Sequence, residues 1–534
     1  MSVILAAGFP AVATFPVVRP VARVIGRDAS IPLVRSTGRV AQVQVLWGAG
    51  GIVVLLLIAF ALSTDRRAIR PRTVLGALAI QLVFAFAVLR WETGKAVLSA
   101  VSSGVQRVID SSKEGIDFLL GPIMPTDGST VVAFQVLPII VFVASLSAVL
   151  YHWNILQWVV RIVGGGLRKL LGTTRAESLN ATANIFLGQT EAPLVVRPYL
   201  AGMTRSEFFA VMVGGLSTVA GSVMVGYAML GASLDHLIAA SFMAAPAGLL
   251  MAKIIVPETE ASPEAEPARE RTQPSGLFGG LGERFRRFRP GTSEAADSAG
   301  ASDAESSGSA GSSGSAETSG SGETSGESTP DTPPERSDAD GADKSGQRPS
   351  SSEDVEADEA LESKPHNVID AAAAGASDGL KLALNVGAML FAFVSLIALL
   401  NLILGALGGL VGLPDITFQQ LLGYVFAPVM WIIGVPWSDA VAAGGFVGQK
   451  LVLNEFVAFS DFGPQAAQFA PHTAIIITFA LTGFANFSSL AILLGGLGGL
   501  VPKRRPLIAE FGMRAIAGGT LANLLSAAIA GMLV

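Results

Sequence analysis

Two short stretches carry carboxylates into sequence that is otherwise oily. In the first, Gly188-Gln189-Thr190-Glu191-Ala192-Pro193 sets an amide, a hydroxyl and a carboxylate at consecutive positions, and three consecutive residues cannot share one face of a regular helix. Gly188 and Pro193 flank them and permit a break that aims all three at a common point. In the second, Gly448-Gln449-Lys450-Leu451-Val452-Leu453-Asn454-Glu455-Phe456 holds Glu455 in a similar setting. An ionised carboxylate at membrane depth costs about 3 kcal/mol or more, so each must meet a partner, a watery cavity or a polar solute. For Glu191 the structural alternative is a pair with Arg197.

Each stretch is followed, roughly thirty residues on, by a span with a small and polar interior: Gly214-Gly215-Leu216-Ser217-Thr218-Val219-Ala220-Gly221-Ser222 and Thr482-Gly483-Phe484-Ala485-Asn486-Phe487-Ser488-Ser489. A re-entrant carboxylate followed by an unwound span, occurring twice, is what an inverted-repeat transporter needs, with its site at the midplane between repeats. Small and hydroxyl residues in spans also serve as packing surfaces, which is the alternative for Ser217, Ser222 and Ser488. Phe484 could equally be core or lipid-facing; its place before Ala485-Asn486 singles it out.

The elements that must position these residues are helices in lipid. Hydrophobic residues make up 51% of the chain, charged residues 15%, and mean hydropathy is +0.55, which excludes an ordinary soluble domain. Apolar stretches of spanning length occur near 46–63, 73–90, 132–153, 206–230, 233–256, 380–411, 473–500 and 509–534. The stretch 95–120 places Val97, Leu98, Val101, Val105, Val108, Ile109 and Ile116 at helical spacing opposite Arg107, Asp110, Ser112 and Lys113, as an interfacial amphipathic helix does. Residues 174–200 and 437–465 are apolar but interrupted by Gly, Pro and strongly polar residues, and read as re-entrant hairpins. The expected fold is therefore an all-α polytopic membrane protein with about eight transmembrane helices, two re-entrant hairpins and an interfacial helix.

Basic residues set the orientation. Arg66, Arg67, Arg70 and Arg72 follow the first span, Arg161, Arg168, Lys169 and Arg175 the third, and Lys503, Arg504 and Arg505 precede the last, so these loops are expected in the cytoplasm and both termini outside. The expected division is an N-terminal extension at 1–45, N-terminal helices at 46–131, a first transport repeat at 132–256, an acidic linker at 257–365 and a second repeat at 366–534. The net charge of −6 is concentrated in that linker. Few apolar residues and much like charge predict a disordered cytoplasmic segment. Within it, Arg284-Phe285-Arg286-Arg287-Phe288-Arg289 reads either as a membrane-surface anchor or as solvated linker.

Several chemistries are excluded. With no cysteine there is no disulfide, thiol catalysis or thiolate metal site. His152, His236, His366 and His472 have no acidic or histidine neighbour at ligand spacing, which argues against zinc or catalytic roles. No Gly-rich phosphate loop is present, so ATP-driven pumping is not expected. An intramembrane hydrolase using Glu191 and Glu455 as acid and base lacks a nucleophile or metal cluster. A receptor that binds without transporting is a third class, separable only by assay.

Five motifs together resemble the concentrative nucleoside transporter family. They are Gly188-Gln189-Thr190-Glu191-Ala192-Pro193-Leu194 with Arg197-Pro198, Leu453-Asn454-Glu455-Phe456-Val457, Gly483-Phe484-Ala485-Asn486-Phe487-Ser488-Ser489, Phe134-Gln135-Val136-Leu137-Pro138 and Asp378-Gly379-Leu380-Lys381-Leu382-Ala383-Leu384-Asn385-Val386. The resemblance covers about 46–256 and 366–534. It implies that Gln189, Thr190 and Glu191 recognise a nucleobase, that Glu455, Asn486 and Ser489 hold ribose hydroxyls, and that Phe484 and Val223 offer the base an apolar wall. It implies a sodium site from Asn184, Thr218 and the carbonyls of Leu187 and Val219, since sodium takes hard oxygen ligands. Thr218 stands where the family commonly has serine, and Phe459 where tyrosine is common. The implied function is sodium-driven nucleoside import by elevator-like alternating access, in a homotrimer of the inner membrane, with no organic cofactor and no nucleic-acid partner. Proton coupling is the alternative.

Overall fold

Backbone amides have no water to bond with inside a bilayer, so a chain this apolar must satisfy them within helices. The computed structural model describes residues 37–124, 131–260, 365–410 and 412–534, and among these there is no strand. The expected N-terminal extension and linker lie, but for a few residues, outside the described residues.

The first three helices are α1 (Thr37–Ala61), α2 (Pro71–Leu89) and α3 (Glu92–Leu120). Pro71 opens α2 at the position where its missing N–H costs nothing. The one strongly polar side chain in mid-α2, Gln81, is fully buried and donates to the Met243 carbonyl (3.2 Å) and Ser526 Oγ (3.3 Å). α3 buries Leu98, Ser102, Ile109, Ser112 and Ile116 along one face and carries an exposed Lys113–Asp110 pair on another, an amphipathic helix rather than a span.

Next come α4 (Leu137–His152) and α5 (Ile155–Leu171), then three short pieces, α6 (Arg175–Ala183), α7 (Ala192–Val195) and α8 (Arg197–Leu200). Thr174 and Glu177 form a reciprocal capping box that starts α6. Two helices follow with a gap between them, α9 (Arg205–Ser217) and α10 (Gly221–Met229), and then α11 (Leu234–Ile255). Beyond the linker lie α12 (Val368–Leu410), α13 (Phe418–Ile432), α14 (Trp437–Val452), α15 (Glu455–Phe462), α16 (Pro471–Leu481), α17 (Phe487–Leu500) and α18 (Arg505–Leu533).

Among the described residues, seven helical stretches are long and apolar enough to cross a membrane, and α13 with α14 form a bent pair at 117°. The stretch at 473–500 is not one helix but two, α16 and α17, separated by an extended segment. Sequence reading placed no helix at 418–432. It is only 15 residues long, carries Gln419 and Gln420 in its first turn and has Pro428 inside, so it is apolar but lacks the length that marks a span. It packs on α14 because Gly423, Gly444 and Gly448 remove the side chains that would separate the two: a Cβ at Gly444 would meet the Gly423 carbonyl at 2.7 Å.

The spans fall into two classes. Over an apolar 18-residue stretch of each, the buried share is 83%, 89% and 78% in 205–229, 234–255 and 502–533, and 28%, 28%, 17% and 6% in 44–61, 71–89, 132–152 and 368–410. The first group forms the interior and the second faces outward. α12, with 43 residues, is about 65 Å long at 1.5 Å per residue and cannot lie upright within one bilayer. It packs against α4 through Gly375 and Gly379, which sit against Ala148, Ala144 and Val141, and Ser145 Oγ donates to the Ala372 carbonyl at 2.8 Å.

One end of the molecule collects the basic loops. Thr64 N–H donates to the Ile255 carbonyl (2.8 Å), Thr73 Oγ1 to the Leu171 carbonyl (3.1 Å), and Arg504 to the carbonyls of Ala201 (2.8 Å) and Met203 (2.5 Å). Arg205 pairs there with Glu510. The opposite end carries an aromatic cluster: Trp47 Nε1 donates to the Trp431 carbonyl (2.7 Å), and Trp437 packs edge-on against Trp431, as at a membrane–water boundary.

At the basic end α11 is anchored by a buried cation. Lys253 pairs with Glu177 and with Glu258 (3.4 Å) and donates to Ser206 Oγ (2.9 Å). Removing one member of a buried pair strands the other. Lys253→Met should therefore destabilise the protein by about 3 kcal/mol. Glu177→Gln, which keeps an acceptor for the α6 cap, should recover much of that loss in the double variant. Thermal unfolding of the four-member cycle in detergent checks this; strictly additive losses would show that the two side chains are not coupled.

Candidate functional site

The site is built where helices stop. α9 ends at Ser217, and Thr218 continues in extended backbone at φ −106° and ψ 175° before α10 begins at Gly221. α16 ends at Leu481, and the chain passes through Gly483 at φ 144° before α17 begins at Phe487. A Cβ at Gly483 would meet the Asn523 amide nitrogen at 2.7 Å and the Ser217 carbonyl at 2.8 Å. Glycine is thus required twice over, by its φ and by the closeness of the other break. The breaks join directly: Phe484 N–H donates to the Thr218 carbonyl at 3.1 Å.

Two asparagines start the helices that leave the breaks of the second half. Asn454 Oδ1 accepts from Val457 N–H (2.9 Å) at the head of α15, and Asn486 Oδ1 accepts from Ser489 N–H (2.8 Å) at the head of α17. Glu455 is thereby the first residue of α15, where the helix dipole favours a negative charge. Its carboxylate accepts from Tyr227 OH at 2.9 Å and from Asn486 Nδ2 at 2.8 Å. Ser489 Oγ in turn accepts from Gln189 Nε2 at 3.4 Å.

Gln189, Ser489, Asn486, Glu455 and Tyr227 therefore form one polar chain running from the first broken segment into the second half. All five are buried, and Gln189 Oε1 has no partner there. Val223 stands one turn before Tyr227, on the same face of α10, and is buried. Thr190 and Glu191 share the turn with Gln189 but are exposed. Thr190 lies against Gly496 of α17, where a Cβ would approach its methyl at 2.8 Å. Glu191 stands outside the polar chain: one carboxylate oxygen accepts from Gly188 N–H at 3.3 Å, and among the described residues no ion pair joins it to Arg197.

The residues proposed for a cation gather around the first break. Asn184 is fully buried, donates through Nδ2 to the Asn180 carbonyl (2.9 Å) and leaves Oδ1 without a partner. Thr218 Oγ1 donates to the Gly214 carbonyl (2.9 Å) and keeps its lone pairs. Gly214 permits the approach, since a Cβ there would lie 3.2 Å from Asn180 Nδ2 and 3.4 Å from Asn184 Nδ2. Among the described residues no backbone N–H bonds the carbonyls of Leu187 or Val219. A hard monovalent cation takes oxygens of this kind, and a buried Oδ1 without a hydrogen-bond partner is chemically suited to be one of them. No group of three His, Asp or Glu capable of holding a metal occurs among the described residues.

Tyr227, Lys450 and Asn523 take part in these networks but were not picked out by sequence. Tyr227 shares its helix with Ser222, and Asn523 shares α18 with Thr520 and Ser526; their partners are 228 and 306 residues away. A polar side chain within a span was the available signal, and neither residue differs in that respect from its polar neighbours.

Comparison with known proteins identifies the architecture. The family model described as Na+ dependent nucleoside transporter N-terminus matches residues 50–123, that described as nucleoside recognition matches 133–234, and that described as Na+ dependent nucleoside transporter C-terminus matches 329–531. An uncharacterized transporter of Bacillus subtilis, YutK, is 46% identical over 92% of this chain and 100% of its own. The nucleoside permease NupC of Helicobacter pylori is 38% identical over 92% and 98%. CNTnw in an inward-facing substrate-bound state shares 42% identity at a TM-score of 0.71, covering 92% of this chain and 98% of that one; a CNTnw variant in an outward-facing state gives 0.72 at 41%. With helices broken in both halves and likeness over nine-tenths of its length, the chain belongs to the concentrative, Na+-dependent nucleoside transporter family, whose members carry solutes across membranes and are not enzymes.

Proposed function

We propose that this chain imports nucleosides across the cell membrane in symport with sodium. The observation that carries this reading is the buried polar chain from Gln189 through Ser489 and Asn486 to Glu455. A ribose presents adjacent hydroxyls, each donor and acceptor. Glu455 with Asn486 and Ser489 offers a carboxylate, an amide and a hydroxyl to match them, and charge-assisted bonds in a dry site are strong. Gln189, with Thr190 and Glu191 exposed on the same turn, offers the donors and acceptors that a nucleobase edge requires. Val223 and Phe484 supply the apolar wall.

Sodium is assigned to Asn184, Thr218 and the carbonyls of Leu187 and Val219. The partnerless Asn184 Oδ1 supports this assignment. Coupling has a direct route: Asn184 and Gln189 lie on one hairpin, so an ion that orders the first arm also sets the amide that meets the solute. We further propose that the broken elements within the repeats at 132–256 and 366–534 move past an outward-facing set including α4 and α12, in elevator fashion, within a homotrimer of the inner membrane. The basic loops gathered at one end support a cytoplasmic placement for that end and for the linker at 257–365, with both termini outside.

Uptake of labelled uridine and adenosine into proteoliposomes under an imposed sodium gradient tests the reading. Replacing sodium with choline should abolish accumulation; accumulation driven by a proton gradient alone would instead assign proton coupling. Glu455→Gln should lower uptake about ten- to hundredfold while the protein still assembles, because the charged acceptor is lost. Tyr227→Phe, which removes one neutral donor, should cost only about fivefold. Asn184→Ala should raise the sodium concentration for half-maximal uptake about tenfold, and an unchanged sodium curve would remove Asn184 from the ion site.

A further inference from the structure

Lys450 is 2% exposed, in the last turn of α14, and among the described residues no carboxylate pairs with it. A buried amine whose hydrogen-bond partners are all neutral, with the Glu455 carboxylate acting on it only through space, is costly and calls for a reason. Its Nζ donates to the Ala480 carbonyl at 2.8 Å and to Asn523 Oδ1 at 2.8 Å. Asn523 passes the contact on, donating through Nδ2 to the Ser217 carbonyl at 2.6 Å. Ala480 lies in the last turn of α16, and Ser217 is the last residue of α9. One amine thus reaches, directly and through one amide, the carbonyl ends of both broken helices. Those ends carry unsatisfied carbonyls and the negative pole of the helix dipole, where a cation is favoured.

The placement matches the first half. Asn184 stands seven residues before Glu191 and Lys450 five before Glu455, each on the arm that leads to the carboxylate of its hairpin, so the two share an arm rather than a register. Asn184 meets α9 at Gly214, and Lys450 meets α16 at Ala480. Where the first half leaves an orphan amide oxygen, the second supplies a donor of its own. We propose that Lys450 is a positioning residue that acts as a tethered cation, holding the second break as the coupling ion holds the first, and so fixing Asn486 and Glu455 for the solute. This rests on the assignment of Asn184 to sodium. Its consequence is one mobile cation per solute, because the second cradle is permanently filled.

The test uses the purified full chain, labelled uridine, and Lys450→Met and Lys450→Ala. Methionine keeps the bulk and removes the charge, so uridine binding should weaken about tenfold or more. Alanine opens the cradle, so ammonium chloride should restore binding, or sodium activation should steepen from a Hill coefficient of about 1 towards 2. Binding by Lys450→Met within about twofold of the parent, or a Lys450→Ala deficit that neither cation moves, would overturn the proposal by leaving only a packing role. Should both variants misfold, the parent decides: about one charge translocated per uridine is expected, and two would overturn the proposal by showing a second mobile cation despite Lys450. Parent uptake without any sodium dependence would fail the coupling assignment alone, and the Lys450→Met comparison would still decide the role of Lys450.

Discussion

The structure depends on satisfying the backbone where two helices are interrupted inside the membrane. Ending a helix frees carbonyls and N–H groups that lipid cannot bond. Here the interruptions answer one another. Phe484 N–H takes the Thr218 carbonyl, Asn523 takes that of Ser217, Lys450 takes that of Ala480, and Gly221 N–H takes the Phe186 carbonyl at the first hairpin. The crossing is possible only because Gly483 has neither a side chain nor a restriction on φ. Once it exists, Asn486 and Asn454 restart the helices as caps and leave Glu455 at a helix head. The polar site is a by-product of repairing the backbone.

The way each acid is held separates its roles. Glu177 is locked by Lys253, a charge pair sealed near the basic end of the molecule. Opening such a pair strands two charges at once, so it suits a fixed anchor. Glu455 is held by two neutral donors, Tyr227 OH and Asn486 Nδ2. Neutral donors can be exchanged for solute hydroxyls at little net cost, since one hydrogen bond replaces another. On the proposed function, in which Glu455 binds and releases a sugar, such neutral partners serve better than an arginine would.

What the sequence displayed was the interruptions themselves. Gly188 and Pro193 around Gln189-Thr190-Glu191, and Gly483 before Asn486, are local signals, and helices do stop beside them. Spans such as α2 and α11 were legible because apolar length is also local. The contents of the polar chain were not. Tyr227 gains its role from Glu455 across 228 residues, and Lys450 from Asn523 across 73; neither spacing leaves a mark on the chain. α13 was missed for a related reason. Its fifteen residues form a stable arm only because the glycines of α14 let it lie close, and that contact belongs to the fold rather than to the segment. Glu191 shows the opposite difficulty: residue type pairs it with Glu455 in expectation, whereas it is exposed, bonded to Gly188 and outside the buried polar chain.

The same bonds constrain how access to the site can alternate. If one break slid past the other, the Phe484–Thr218 bond and both Asn523 bonds would open into a dry interior, leaving several buried groups unpaired at about 1–3 kcal/mol each. The α4–α12 seam is joined by small residues and the Ser145–Ala372 bond, a contact that also resists sliding. Between two tightly bonded bodies, the movement that disturbs least is a displacement of the broken elements as a unit, with their crossing intact. On the proposed mechanism the solute and ion are therefore carried inside an unaltered site, and selectivity is decided before movement begins rather than during it.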